Sequence, residues 1–200
     1  MSDAKLTSVG KPKIGGAIYR APLGTTLPTD ATTPLDGAFK GLGYCGKEGL
    51  VNANETETED IKAWGGDVIL SSPTSKKDTF KFKLIEVLNA EVLKAVYGDN
   101  NVSGTLESGI VVKANSEPQV ACEWVVELIL NGGAVKRIVV PSAAVTSVGE
   151  IVYKDDEEVG YETTILATAD TEGQTHYEYI KRQAGTMQVQ AAPAKLTKGK

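Results

Sequence analysis

Along residues 63–98, AWGGDVILSSPTSKKDTFKFKLIEVLNAEVLKAVYG, the spacing of apolar side chains changes period once. Phe80, Phe82 and Leu84 alternate with Lys81 and Lys83, the two-residue repeat of a half-buried strand. At Asn89 the repeat becomes helical. Asn89 is a favoured N-cap residue, and Leu88 and Leu93 occupy the two positions of a hydrophobic staple. Val92, Leu93, Val96 and Tyr97 share a face, and Gly98 supplies a stop. The pattern predicts a strand running into a helix over residues 89–97. A helix that short must dock its apolar face to persist in water, so Val92, Leu93 and Val96 are core candidates on the outside of a β-rich body.

Residues 119–130 show the strongest alternation. Val120, Cys122, Trp124, Val126, Leu128 and Leu130 fall on one side; Ala121, Glu123, Val125, Glu127 and Ile129 fall on the other. One wholly apolar face and one mixed face suit a sheet with a core on one side and solvent or a neighbour on the other, with Trp124, Val126 and Leu128 in the core. Asn131-Gly132-Gly133 signals a hairpin into a strand over 134–140. Further strands are expected at 39–46, 64–71, 79–87, 145–154, 159–167 and 175–181, with turns at 155–158 and 170–173. Three prolines mark 23–36 and its start as a Thr/Pro-rich loop. Residues 50–63, with VNANETETED inside, are too acidic to pack and are expected as a long loop. Residues 1–13 read as an N-terminal arm and 184–200 as a flexible basic tail, around one body at 14–183. The architecture expected is mainly β, a two-sheet antiparallel sandwich with one short packed helix.

Charge sharpens this division. Residues 1–20 and 185–200 each carry +3, so a total of −5 leaves −11 on residues 21–184. An acidic body with basic ends lacks the basic stripe of a DNA-binding domain. No run approaches the ~18 apolar residues of a membrane span, and residues 1–13 lack an apolar signal region, from which synthesis in the cytoplasm is expected. Cys45 and Cys122 are isolated and expected as reduced, buried thiols.

Chemical motifs mostly dissolve on inspection. GLGYCG at 41–46 matches G-x-G-x-x-G, but KEGLVNAN after it has no helical period on which a pyrophosphate could sit. The stretch from Asp99 to Gly104 resembles a calcium loop, yet the twelfth position, where a bidentate glutamate belongs, is Ile110. The single histidine, His176, lies in HYEYIK without a recognisable nucleophile and reads as a structural or interface histidine. Acidic clusters at Glu55/Glu57/Glu59/Asp60 and at 155–158 fall in expected loops or turns. No catalytic residue, metal ligand or cofactor-binding residue is assigned, and no cofactor is expected.

TSKKDTFKFKLIE passing directly into the helix resembles the major tail tube proteins of long, non-contractile (siphovirus-type) phage tails. The resemblance continues through YRAPLGTTLPTDATTPLD (19–36), EDIKAWGGD (59–67), KRIVVP (136–141) and YETTI (161–165), and spans residues 14–182. It implies a structural virion protein rather than an enzyme, localised to the tail and assembled in the host cytoplasm. Its subunits would form homohexameric rings stacked head to tail, meeting tape-measure, terminator and distal tail proteins. Phage DNA would pass through the lumen without specific binding, and no membrane contact is implied. The family's loop that reaches the adjacent ring corresponds to residues 50–63, which makes Asn54, Glu55, Glu57, Glu59 and Asp60 the expected inter-ring contacts. Two other readings fit the residues: a cellular β-sandwich module binding carbohydrate or protein, and the same tube subunit in a phage-derived bacterial particle.

Overall fold

The computed structural model describes residues 2–182, so the expected tail at 184–200 lies outside the described residues. Eleven strands and one α-helix follow in order: β1 (Lys11–Pro12), β2 (Ile18–Pro22), β3 (Lys40–Gly41), β4 (Cys45–Lys62), β5 (Val68–Leu84), α1 (Ala90–Tyr97), β6 (Val102–Thr105), β7 (Gly109–Val112), β8 (Cys122–Ile129), β9 (Ala134–Val148), β10 (Tyr161–Ala167) and β11 (Tyr177–Arg182). The fold is mainly β, with one helix, as the alternation implied. Its two layers are halves of one nine-stranded antiparallel sheet, ordered β3-β2-β8-β9-β10-β5-β4, with β1 added on β8 and β11 on β9; β6 and β7 pair by themselves.

The layers are joined through β9. Its first half pairs with β11 over Ala134–Val139, its second half pairs with β10 from Ala143 onward, and β8 pairs along its other edge. Pro141 falls between the two partners. A residue without an N–H is tolerated there, and the β8–β9 register shifts at the same place, between the pairs Cys122/Ala143 and Trp124/Val140. The expected strands at 134–140 and 145–154 are therefore one strand bent at its proline, and residues 149–160 are irregular.

The core lies between the halves. Phe80, Phe82, Leu84, Tyr161 and Ile165 face Ile18, Trp124, Val126, Ile138 and Val140, with the rings of Phe82 and Trp124 at 5.9 Å. Trp124 is buried, and its indole N–H donates to the Ala143 carbonyl at 3.1 Å, which satisfies the one polar atom of the largest core side chain. Leu128 is half-buried at the edge of this cluster. Helix α1 closes it from outside. The Asn89 side chain accepts from the Glu91 N–H, Gly98 ends the helix at φ 96°, and Val92, Leu93, Ala95 and Val96 are buried. The staple does not form: Leu88 is exposed, and Leu93 packs into the core instead.

The mixed face of β8 is not open to solvent. A second, smaller core of Ala21, Phe39, Val125 and Val139 is covered by Leu27 and Leu35 from the Thr/Pro-rich loop and by Ala38 just after it. Glu127 and Arg137 pair across the ladder beneath that loop, with the Arg137 Nε donating to Glu127 at 3.1 Å. Arg137 also donates to the Asp30 carbonyl at 2.8 Å, and Lys13 reaches Glu127 at 2.6 Å. The arm is thus anchored at its end by β1 and Lys13, although residues 6–13 are exposed.

The largest departure from expectation is 50–63. It is strand, not loop: β4 pairs with β5 from Leu50 to Lys62. Its glutamates are matched across the ladder, since Glu55 opposes Lys77 and Lys77 reaches Glu57 at 2.9 Å. The strands expected at 64–71 and 79–87 accordingly merge into β5, and the expected strand at 39–46 splits into β3 and the start of β4. With α1 docked rather than self-supporting, Leu93→Ala should lower stability by about 2–5 kcal/mol in chemical denaturation.

Candidate functional site

Strand β10 pairs with β5 only as far as Asp78, opposite Ala167. Beyond that point β4 and β5 continue alone as a two-stranded ribbon to the turn at Ala63–Asp67, where the Ala63 N–H donates to the Asp67 carbonyl at 2.7 Å. Eight residue pairs beyond Asp78, at ~3.3 Å each, give a projection on the order of 26 Å. Neither edge of the ribbon has a partner strand among the described residues.

The root of the ribbon is pinned by a buried carboxylate. Asp78 accepts from the Asn52 amide at 2.7 Å and from the Thr175 hydroxyl at 2.6 Å, and it meets the His176 Nδ1 at 2.6 Å. Burial alone would raise its pKa, but the hydrogen bonds from Thr175, Asn52 and His176 outweigh that and hold it below the usual carboxylate range. His176 stands edge-on to Phe80 at 5.3 Å, so it belongs to this joint and lies before β11 rather than in it. Asn52, Thr175 and His176 all converge on the Asp78 carboxylate.

The face of β4–β5–β10 turned away from the core carries alternating charge. Glu55 and Glu57 lie beside Lys77 and Glu59 lies opposite Ser72, while Lys81 and Lys83 have Glu162 near them on β10. Each lysine has a glutamate partner: Lys77 with Glu57 at 2.9 Å, Lys81 with Glu162, and Lys83 with Glu158 at 3.5 Å. Hydrogen bonds from Lys77 and Ser75 lower the Glu57 pKa. Of the expected contact residues, Glu55, Glu57 and Glu59 share this face, whereas Asn54 and Asp60 fall on the opposite one by strand alternation; all five are exposed.

The ribbon tip is apolar on both faces. Ile61, Val68, Ile69 and Leu70 are each at least half exposed, and Trp64 is fully exposed at 107%. Sequence reasoning placed these residues near the expected contact segment without singling them out, although the signal was present: three successive apolar residues, Val68-Ile69-Leu70, break the alternation of a strand with only one buried side. A groove of about 670 Å³, lined by apolar and charged side chains alike, lies at the ribbon's base, where the two layers part. Ile18, Val126, Leu128 and Ile138 form one wall and Cys45 and Leu50 the other. Burial, with Glu86 nearby, pushes the Cys45 thiol up to about 11, so it stays protonated at neutral pH.

Other motifs take structural places. GLGYCG is a strand-to-strand corner in which Gly43, at φ 71°, gives room to the Glu86 carboxylate, which accepts from the Tyr44 N–H at 2.9 Å. The calcium-like stretch is a turn, Asp99–Asn101, followed by the β6–β7 hairpin, which sequence periodicity did not reveal. Both cysteines are free: Cys122 is buried and Cys45 half-buried. Among the described residues no group of three or more His, Cys, Asp or Glu side chains is placed to hold a metal ion, and no helix is long and apolar enough to cross a membrane.

A family model described as phage tail tube protein matches residues 12–193, nearly the whole chain. No curated protein matches. The chain belongs to the phage tail tube protein family, and a structural role in the tail follows.

The Asp78 joint makes the ribbon's root sensitive to acid. A carboxylate whose folded pKa is depressed contributes stability that is complete above the unfolded value of about 3.9 and is lost as pH falls through the folded value. Urea midpoints measured from pH 7 down to pH 2 should therefore fall less steeply for Asp78→Asn than for wild type, with the variant less stable at neutral pH.

Proposed function

We propose that this member of the tail tube family forms homohexameric rings that stack head to tail into the tube of a long, non-contractile tail, through which the genome passes. The observation that carries this reading is the β4–β5 ribbon. It has two free ladder edges and an apolar tip, and such features invite pairing with other copies of the chain. Rings remove free edges by closure, and the ribbon's length suits contact with the next ring. Asn54, Glu55, Glu57, Glu59 and Asp60 then lie along the part of the ribbon that crosses between rings. Tape-measure, terminator and distal tail proteins are the partners this role requires.

The same reading assigns the lumen wall to the outward face of β10, β5, β4 and the second half of β9. A wall of free lysines would hold DNA through counterion release, whereas transit needs weak, even repulsion. The lysines on this face are paired with glutamates, and Glu55 and Glu59 leave an acidic excess. That arrangement supports a weakly negative wall with no sites where phosphate would stick.

Size-exclusion chromatography with negative-stain imaging tests the assembly: rings and tubes are expected, and a compact monomer at every concentration tried would overturn it. The wall is tested by Glu57→Gln, Glu158→Gln and Glu162→Gln together, which unmask three lysines per subunit. Tubes of this variant should bind DNA with an affinity that falls steeply with salt, while wild-type tubes should not. Tight, salt-sensitive binding by wild-type tubes would refute the assignment of the wall.

A further inference from the structure

Glu123 and Glu127 stand on the same face of β8, and Glu127 shows what a buried glutamate there requires. Glu127 is 5% exposed, and both Arg137 and Lys13 meet it. Glu123 is 4% exposed, and no cation among the described residues meets it. Its Oε1 accepts from the Gly24 N–H at 2.8 Å; its Oε2 is enclosed and has no partner among the described residues. A buried carboxylate satisfied on one side only is costly. Burial raises its pKa and the nearby Asp36 carboxylate adds to the rise, against the pull of the Gly24 and Thr25 amides.

Asp36 is exposed, and one of its oxygens accepts from the Ala38 N–H at 2.9 Å. No lysine, arginine or histidine among the described residues pairs with it. The two carboxylates sit at opposite ends of the Thr/Pro-rich loop. Glu123 fastens the turn at 22–25, where the Thr25 hydroxyl donates to the Pro22 carbonyl at 2.7 Å. Asp36 closes the turn at 36–39, where the Phe39 N–H donates to the Asp36 carbonyl at 3.0 Å. The loop thus brings two negative charges together and supplies nothing to offset them.

We infer that Glu123 and Asp36 bind a calcium ion, which ties the two ends of the loop together over the smaller core. The donors are oxygens, and the nearest soft ligand, Cys122, belongs to the main core on the other face of β8. Calcium accepts about six to eight oxygens in flexible geometry, so main-chain carbonyls and water can complete a site begun by two carboxylates. Magnesium demands a stricter octahedron and gives up its water reluctantly. A water molecule alone could donate to the Glu123 Oε2, but it would leave the two like charges uncompensated; a cation answers both faults. The −11 carried by residues 21–184 also concentrates cations at this surface. With two carboxylates the site belongs in the weak range, ~10⁻⁴–10⁻³ M.

The full chain, stripped with a chelator and held at fixed protein concentration and ionic strength, provides the test. Calcium chloride at ~10 mM should raise the thermal midpoint by about 3–6 °C, with a smaller shift from magnesium chloride and none from sodium chloride. Titration calorimetry with calcium should report one site per chain. Glu123→Gln should abolish both the shift and the heat. Asp36→Asn, an exposed change that spares the core, should weaken calcium binding roughly tenfold, and it decides alone if Glu123→Gln does not fold. A wild-type midpoint indifferent to calcium would overturn the site and leave a water or a proton as the partner of Glu123. A calcium response that survives in Asp36→Asn and Glu123→Gln would place the ion elsewhere on the acidic body and overturn it equally.

Discussion

Everything in this fold depends on one strand being hydrogen-bonded to three others. β9 carries β8 along one edge, and β11 and then β10 along the other, so the two layers of the sandwich share a backbone instead of merely packing. Because β9 crosses from one layer to the other, the core between them is bounded on that side by covalent chain. Pro141 is what makes the crossing possible: its missing N–H falls where the partner strand changes, and the register shift beside it bends the strand. The Trp124 indole bonds to Ala143 just past the bend, which ties the largest core side chain to the corner.

The opposite side of the first layer is sealed by charge rather than by a second sheet. Glu127 and Arg137 are both almost fully buried, and such a pair is tolerated only when the remaining donors and acceptors are satisfied. Here they are, by the Asp30 carbonyl and Lys13, so the pair doubles as a clamp for the Thr/Pro-rich loop and the end of the N-terminal arm. Glu123, farther along the same face, is less complete. One of its oxygens accepts from the Gly24 N–H at 2.8 Å, the other has no partner among the described residues, and burial raises its pKa.

What was legible in the sequence was whatever obeyed a single period with a single buried side. The alternation through Phe80–Leu84 and Cys122–Leu128, the cap at Asn89 and the apolar helix face all appear where the pattern put them. Residues 50–63 were misread because composition was weighed above period. ETETED alternates like any strand, and its acids are balanced by lysines that are distant in sequence and adjacent in the ladder. The bend at Pro141 was read as a gap, since nothing local distinguishes a proline that ends a strand from one at a change of partner. The anchoring of Asp78 by Thr175 and His176 joins residues almost a hundred positions apart, and no local pattern could have found it. The ribbon tip is a different kind of miss: it is an apolar surface left open, and only the folded chain shows which surfaces remain open.

A two-stranded ribbon is marginal in water by itself, and this one extends well past any core that could support it. It inherits order from its root, where Asp78 is held by three side chains and β5 is paired on both edges. Farther out, only the ladder and exposed ion pairs such as Lys77–Glu57 remain, and exposed pairs contribute little. Stability along the ribbon therefore declines toward the tip, which is also where the apolar side chains stand exposed. The ribbon's two unpaired edges run its whole length among the described residues, so its order falls off with distance from the root. The fold of the single chain and its capacity to assemble are for this reason one design: the sandwich is closed where β9, α1 and the Glu127–Arg137 clamp close it, and open along the ribbon's axis.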